Sequence, residues 1–233
     1  VVWDSTADAE YEECLLKARV LQARRDSADD FRLLESLRWT PGEGYFLFER
    51  HLDRLRESAE YFGFSFKESA IEKALAEQAT LLVGASKVRL LLDRAGRVNV
   101  EARPLSHGAR QEPIRVGLAA EPIDSGDVFL YHKTDRREVY EAARRSRPDC
   151  DDVILWNERG ELTEASAANI VLELDGHLYT PPVSAGLLPG TLRARLLATG
   201  EIKERSLTVT DLARATRLWL MNSVRGRQTA VVQ

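Results

Sequence analysis

Two stretches, GELTEASAAN at residues 160–169 and HLYTPPVSAGLLPGTLR at residues 177–193, decide how this chain is read. The first places Glu164 between Thr163 and Ser166, two hydroxyls expected to orient it. The second turns through Leu188-Pro189-Gly190 directly into the helical pattern of Arg193 and Leu196. Upstream, in YHKTDRREVY at 131–140, stands Lys133.

Lysine is scarce and occurs only at Lys17, Lys67, Lys73, Lys87, Lys133 and Lys203. Lys67 and Lys73 fall on a helix-like polar face, Lys17 and Lys203 in charged surroundings, and Lys87 just ahead of the alternating strand VRLLL. Only Lys133 follows a short apolar run, Val128 to Tyr131, and leads into a helical pattern. A lysine, a carboxylate and a glycine-containing turn entering a helix are the parts that hold pyridoxal 5′-phosphate (PLP). The lysine carries it as a Schiff base, and the carboxylate keeps its ring nitrogen protonated so that the ring accepts electrons. Backbone N–H groups at a helix start, with an arginine, neutralise the phosphate. Gly190-Thr191-Leu192 fits that cup, and Arg54 in HLDRLRESA fits the charged donor. Each part has an ordinary reading too: a solvated lysine, a capping glutamate, a helix entry, an arginine on a wet face. Their combination is what points to one cofactor.

Composition bounds the rest. The chain has 233 residues, 44% hydrophobic and 30% charged, which suits a globular protein with a sizeable core. A net charge of −4 gives no reason to expect nucleic acid or an anionic membrane as partner. No apolar run reaches the roughly 20 residues of a membrane span, and no signal peptide is recognisable. Cys14 and Cys150 lie far apart, so no disulfide framework is expected, and a reducing cytoplasm is the expected compartment. No metal is expected.

Along the chain, residues 7–23 read as a helix and 24–30 as a linker. Residues 31–40 and 44–48 read as strands around the turn Pro41-Gly42-Glu43. Leu52, Leu55, Ala59 and Phe62 recur at helical spacing, and a second helix covers 67–82. Residues 87–92 and 97–103 form a predicted hairpin, and the polar stretch 106–113 is the best internal boundary. Beyond it, strands are expected at 114–118, 152–157, 168–174, 177–180 and 217–221, with helices at 135–147, 191–199 and 210–215. Strands outnumber helices there, which predicts a barrel-like α+β unit.

The motifs HLDRL (51–55), KTDRR (133–137), DDVILWNERGELTEASAANI (151–170), TPPVSAGLLPGTLR (180–193) and MNSVRG (221–226) together resemble the fold-type IV PLP enzymes. These are the branched-chain and D-amino-acid aminotransferases and 4-amino-4-deoxychorismate lyase. The resemblance implies a small N-terminal α/β domain over 25–107 and a C-terminal pseudo-barrel domain over 108–233 that binds PLP. Position by position, it makes Lys133 the Schiff-base lysine and Glu164 the carboxylate on the pyridine nitrogen. Arg54 becomes the phosphate arginine, Thr191 and Leu192 the backbone cup, and Ser223 a hydroxyl that also touches phosphate. Where the family opens on a Phe-Glu-Thr motif, this chain has FRLLESLR, with Glu35 and Ser36.

NERGELTEASAANI, NSVRG and the KTDRR context look most like the lyase branch. VVWDSTADAEYEECLLKA at 1–18 resembles the final segment of chorismate-utilising synthases, so residues 1–24 are expected to be a synthase remnant and the chain the C-terminal piece of a bifunctional polypeptide. The implied reaction converts 4-amino-4-deoxychorismate to p-aminobenzoate and pyruvate, with Lys133 as general base. Its substrate bears two carboxylates, for which Arg89 and Arg225 are the candidate partners. An aminotransferase of the same fold and a non-catalytic synthase domain are the alternatives. The resemblance also implies a homodimer.

Overall fold

Alternation of apolar side chains over LLESLRWT drives the first strand, β1 (Leu33–Thr40), whose Leu33, Glu35 and Leu37 point to one face and are buried. The turn at 41–43 returns it to a two-residue strand, β2 (Gly44–Tyr45), and β3 (Ser86–Leu92) and β4 (Val98–Pro104) complete an antiparallel sheet in the order β2-β1-β3-β4. The expected second strand over 44–48 stops at Tyr45. Leu47 takes a left-handed backbone (φ 55) and α1 (Phe48–Phe62) begins beside it. In α1 the predicted stripe of Leu52, Leu55, Ala59 and Phe62 is buried, together with His51, Arg54 and Ser58. Gly63, at φ 69, caps α1 in the left-handed region that glycine tolerates best. Helix α1 packs on β1, and α2 (Glu68–Ala79) packs on β4.

The second sheet contains β5 (Ile114–Leu118), β6 (Asp152–Trp156), β7 (Leu162–Ala165), β8 (Ala168–Leu174), β9 (His177–Thr180), β10 (Lys203–Glu204), β11 (Arg217–Asn222) and β12 (Gly226–Val232). Its order is β10-β9-β8-β11-β12-β5-β6-β7, and β7 also pairs with β8. That last pairing joins β8, β11, β12, β5, β6 and β7 into a ring, the pseudo-barrel the sequence suggests. One edge of β8 meets β11 over 169–173, and its other edge meets β7 at Ala168–Asn169 and β9 from Leu172 onward.

Ile114, Ile154, Leu162, Ile170, Leu172 and Leu220 belong to one buried cluster. The alternate residues of the same strands belong to two others. Val153 and Leu155 pack with Leu130 and with Ala143 of α3 (Glu138–Ser146), whereas Val171 and Met221 pack with Leu192 and Leu196 of α4 (Thr191–Ala198). Burial on both faces explains why these strands read as continuous apolar runs. A short α5 (Val209–Arg214), opened by a Thr208–Asp211 capping box, adds Leu212 to the first cluster.

The computed structural model describes residues 31–105 and 113–233, of which Arg32–Gln233 make one compact unit. The expected N-terminal helix, the synthase-like residues 1–24, the linker 24–30, Cys14, Lys17 and the boundary residues 106–112 lie outside the described residues. Among the described residues no helix is long and apolar enough to cross a membrane.

Three strands go unpredicted: β7, β10 and β12. The third helix is shorter than the expected 135–147, because residues 133–135 instead pair with the start of β1. Leu34 N–H donates to the Lys133 carbonyl at 2.9 Å, Asp135 N–H to the Arg32 carbonyl at 3.0 Å, and Thr134 bridges to Leu33. The Asp135 carboxylate closes this join on the Arg32 backbone and guanidinium. Truncating Ile170, which is 0% exposed, to alanine should cost about 2–5 kcal/mol of unfolding free energy. In urea this appears as a lower midpoint at unchanged slope.

Candidate active site

Lys133, Glu164, Arg54, Thr191, Leu192, Ser223, Arg89 and Arg225 all line one cleft of about 560 Å³. Each reaches it by a different route. The pairing of residues 133–135 with β1 holds Lys133, and the short strand β7 places Glu164 opposite Asn169 of β8. Arg54 comes from the buried stripe of α1, Thr191 and Leu192 open α4, and Ser223 follows β11.

Glu164 is 4% exposed, and both of its oxygens accept hydrogen bonds, Oε2 only one. Oε1 accepts from the Tyr140 hydroxyl at 2.8 Å and from the Leu188 N–H at 3.1 Å, and Oε2 accepts from Asn169 Nδ2 at 3.3 Å. Burial pushes its pKa up to about 7, against the opposing pull of those donors and of Lys133 and Arg137. The expected orienting hydroxyls do not serve. Thr163 Oγ1 is buried without a partner, and Ser166 donates to Asp152, because the β7–β8 turn directs Ser166 toward β6.

Lys133 is partly buried, and among the described residues its amine has no hydrogen-bond partner. Burial, with the positive charges of Arg54 and Arg137, brings its pKa down to about 8, while Glu35 and Glu164 resist. A second lysine, Lys87, also lines the cleft. The charges that act most on Lys87 are all arginines, so Lys133 is the lysine coupled to Glu164.

The start of α4 is a cradle. Gly190 is its N-cap and no side chain caps it, so the first-turn N–H groups remain available at the cleft wall. Two polar clamps fix the turn that precedes it. Asn169 Nδ2 donates to the Leu188 carbonyl at 2.9 Å, and Arg54 donates to the Pro189 carbonyl at 3.0 Å. A Cβ on Gly190 would stand 2.0 Å from Asn169 Oδ1, so no other residue fits there without moving that amide.

Arg54 is 8% exposed and is itself aimed by Glu35, to which it donates at 2.8 and 2.7 Å. His51 Nδ1 lies 2.6 Å from the same carboxylate, and its Nε2 lies 3.2 Å from Thr191 Oγ1. Burial opposes ionisation of Glu35, yet Arg54 and His51 hold its pKa far below the usual range. Sequence reasoning missed Glu35, His51, Tyr140 and Asn169 as supports. The signals it could have used are the polar Glu35 and His51 within apolar-periodic stretches, where an unpaired polar group is costly.

The class IV aminotransferase family model matches residues 32–230. A Schizosaccharomyces pombe protein, named provisionally as an aminodeoxychorismate lyase, is 32% identical over 189 residues, 77% of this chain and 81% of its own. A crystal structure from Mesorhizobium loti, provisionally described as an amino-acid aminotransferase, is 38% identical with a TM-score of 0.83. The match spans 88% of this chain and 100% of that one. A hypothetical aminotransferase from Mycobacterium tuberculosis in a PLP-bound form shares the fold at TM-score 0.74 and 24% identity, over 88% and 84% of the two chains.

The raised pKa of Glu164 carries a stability signature. A carboxylate raised from 4.5 to about 7 contributes stability that is fully present below 4.5 and lost as pH rises through 7. In cofactor-free protein that loss is about 3 kcal/mol as an order of magnitude. Glu164→Gln should therefore gain on wild type as pH rises from 4.5 to above 7, read as the difference between urea midpoints. Gly190→Ala should displace Asn169 and weaken PLP binding by about tenfold or more in a fluorescence titration.

Proposed function

The chain belongs to the class IV aminotransferase family, whose cofactor is PLP, and we propose that within it this protein is a lyase that converts 4-amino-4-deoxychorismate to p-aminobenzoate and pyruvate. The observation that carries the lyase reading is the 32% identity with the fission-yeast relative across 77% of this chain. The cleft supports PLP chemistry, common to this reading and to amino transfer, with a low-pKa lysine, a buried carboxylate and an uncapped helix start.

In this reading Lys133 would hold PLP covalently and Glu164 would pair with its ring nitrogen. Arg54 with the N–H groups of Thr191 and Leu192 takes the phosphate, and Ser223 adds a hydroxyl. When bound, PLP supplies an electron sink at the carbon that bears the substrate amine. Lys133, its amine set free when the substrate amine takes its place on the cofactor and close to half-neutral near pH 8, would take the proton from that carbon. Glu164, buried and held by three donors, keeps a proton on the nitrogen facing it. The overall elimination is redox-neutral: one C–H and one C–O bond break, the ring becomes aromatic, and the enolpyruvate released tautomerises to pyruvate. The low-dielectric wall formed by Leu34, Leu188 and Met221 strengthens each of these electrostatic effects.

The reading extends to a cytoplasmic homodimer and to two domains, 25–107 and 108–233, with residues 1–24 a synthase remnant. The two separate sheets on either side of residues 106–112 support that division. A second reading, amino transfer to a keto acid, is favoured by the 38% identity with the Mesorhizobium loti structure. It uses the same Lys133 and Glu164.

Purified protein incubated with excess PLP should turn yellow, with a near-visible band that borohydride removes. Lys133→Ala should lose the band and Lys87→Ala keep it. A colourless wild type would sink the enzyme reading. Formation of p-aminobenzoate from aminodeoxychorismate supports the lyase, whereas amino transfer from D-alanine or a branched-chain amino acid without p-aminobenzoate favours the second reading.

A further inference from the structure

Glu35, His51 and Thr191 form a hydrogen-bonded chain that ends at the start of α4, and its middle member is a histidine with no part in the chemistry at Lys133. All three side chains are buried, and they come from β1, α1 and the first turn of α4. Glu35 accepts twice from Arg54, and His51 Nδ1 stands 2.6 Å from its Oε2. Burial opposes ionisation of Glu35, but Arg54 and His51 hold it in the charged form. An ionised carboxylate only accepts, so Nδ1 carries the hydrogen of that bond. The polarity of the far end then depends on one proton. In the neutral ring Nε2 offers only a lone pair, and across the 3.2 Å to Thr191 Oγ1 the hydroxyl must donate.

That direction does not suit a phosphate. Thr191 lines the cleft at the first helical position after Gly190, beside N–H groups that no side chain caps. With its hydrogen turned to His51, Oγ1 presents only lone pairs to the cleft, and a phosphate dianion brings lone pairs too. With Nε2 protonated the bond reverses. Nε2–H donates to Oγ1, and the hydroxyl hydrogen is free for a phosphate oxygen. Charge points the same way. The charged groups gathered at His51 are Glu35 on β1 and Arg54 on its own helix, and Lys133, on the segment joined to β1, feels both. Thr191 on α4 adds no charge. Glu35 and Arg54 offset each other, so a dianion arriving here leaves negative charge that a proton on His51 reduces.

We propose that His51 is a proton-coupled positioning residue for the cofactor phosphate: it takes a proton from solvent as the phosphate binds, and so turns the Thr191 hydroxyl toward it. One N–H bond forms at Nε2, the Thr191 O–H bond rotates without breaking, and nothing is oxidised or reduced. The proposal rests on the phosphate lying between Arg54 and the start of α4, and it holds for a lyase and an aminotransferase alike. Glu35 thereby gains a second duty, since the carboxylate that aims Arg54 also steadies the imidazolium.

The probe is pyridoxine 5′-phosphate, which has the ring and phosphate of PLP but no aldehyde to join Lys133. Calorimetry at pH 8 in buffers of different ionisation heat counts the protons taken up on binding. At that pH an imidazole in water is neutral and a phosphate monoester carries both charges. Wild type should take up about one proton more than His51→Gln, and relative to that variant its affinity should fall by up to about tenfold per pH unit above 8. Thr191→Ser, which keeps the hydroxyl, should retain the extra proton, and Thr191→Val should lose most of it. Equal proton counts in wild type and His51→Gln, or in wild type and Thr191→Val, would overturn the proposal. Should the variants fail to fold, nitrogen NMR of wild type decides. One of the four histidines should gain a proton at Nε2 when the probe binds at pH 8, and unchanged spectra would overturn the proposal equally. The phosphate placement fails separately. If Arg54→Gln and Gly190→Ala both bind the probe as wild type does, the phosphate lies elsewhere. Weakened binding in both, with an unchanged proton count in His51→Gln, removes the proton coupling alone.

Discussion

Burying Glu164 is the constraint around which the cleft is organised. A carboxylate with 4% exposure is tolerable only if its lone pairs are satisfied, and three donors from three segments do this: Tyr140, the Leu188 N–H and Asn169. Asn169 uses the same amide to hold the Leu188 carbonyl, so the environment of the carboxylate and the turn entering α4 are one object. Arg54 grips the next carbonyl, at Pro189; Glu35 fixes Arg54 and is itself held by His51, which meets Thr191. The Glu164 side and the Arg54 side of the cleft are thus tied through residues 188–191. A shift of one would misplace the other, and a side chain at Gly190 would force such a shift by striking the Asn169 amide.

The architecture follows from that need for several segments at one point. The barrel supplies Glu164, Asn169 and the α4 turn, and the first sheet with α1 supplies Arg54, Glu35 and the face bearing Lys87 and Arg89. Residues 133–135 stitch the two together by pairing with β1, which fixes Lys133 where both contributions meet. Pairing of the backbone at residues 133–135 fixes the position of the Lys133 Cα beforehand, so that only side-chain freedom is left to be lost.

Much of this was legible in the sequence wherever a single segment carries its own pattern. The α1 stripe at Leu52, Leu55, Ala59 and Phe62, the β3–β4 hairpin and the apolar runs of β6 and β8 each encode burial at short range. Strand β7 escaped because LTEA has four residues, all buried, and one of them is a glutamate that disfavours strands. Strand β12 escaped because only Ala230 among its seven residues is buried, so its alternation is mostly polar. The supports of the site were illegible for a different reason. Tyr140 lies 24 residues from Glu164, Pro189 lies 135 from Arg54, and Thr191 lies 140 from His51. No local pattern announces a hydrogen bond across such separations. The same distance explains the misassigned Thr163 and Ser166, which are nearest in sequence but turned away by the alternation of β7 and the demand of Asp152.

The electrostatics of the cleft turn on two opposite displacements. Burial lowers the Lys133 pKa to about 8 and raises that of Glu164 to about 7, bringing an amine and a carboxylate from opposite ends of the scale to neighbouring values. Had the two groups been left in water, each would be locked in its charged form at neutral pH and neither would exchange a proton readily. Desolvation acts against charge of either sign, so burial is the largest cause of both shifts. Glu35 shows the contrast. It is equally buried, but Arg54 and His51 touch it directly, and its pKa falls instead of rising. The fold therefore separates a carboxylate locked in its charged form, which aims an arginine, from one whose pKa stands near neutrality. The difference is a matter of which side chain stands within hydrogen-bonding distance.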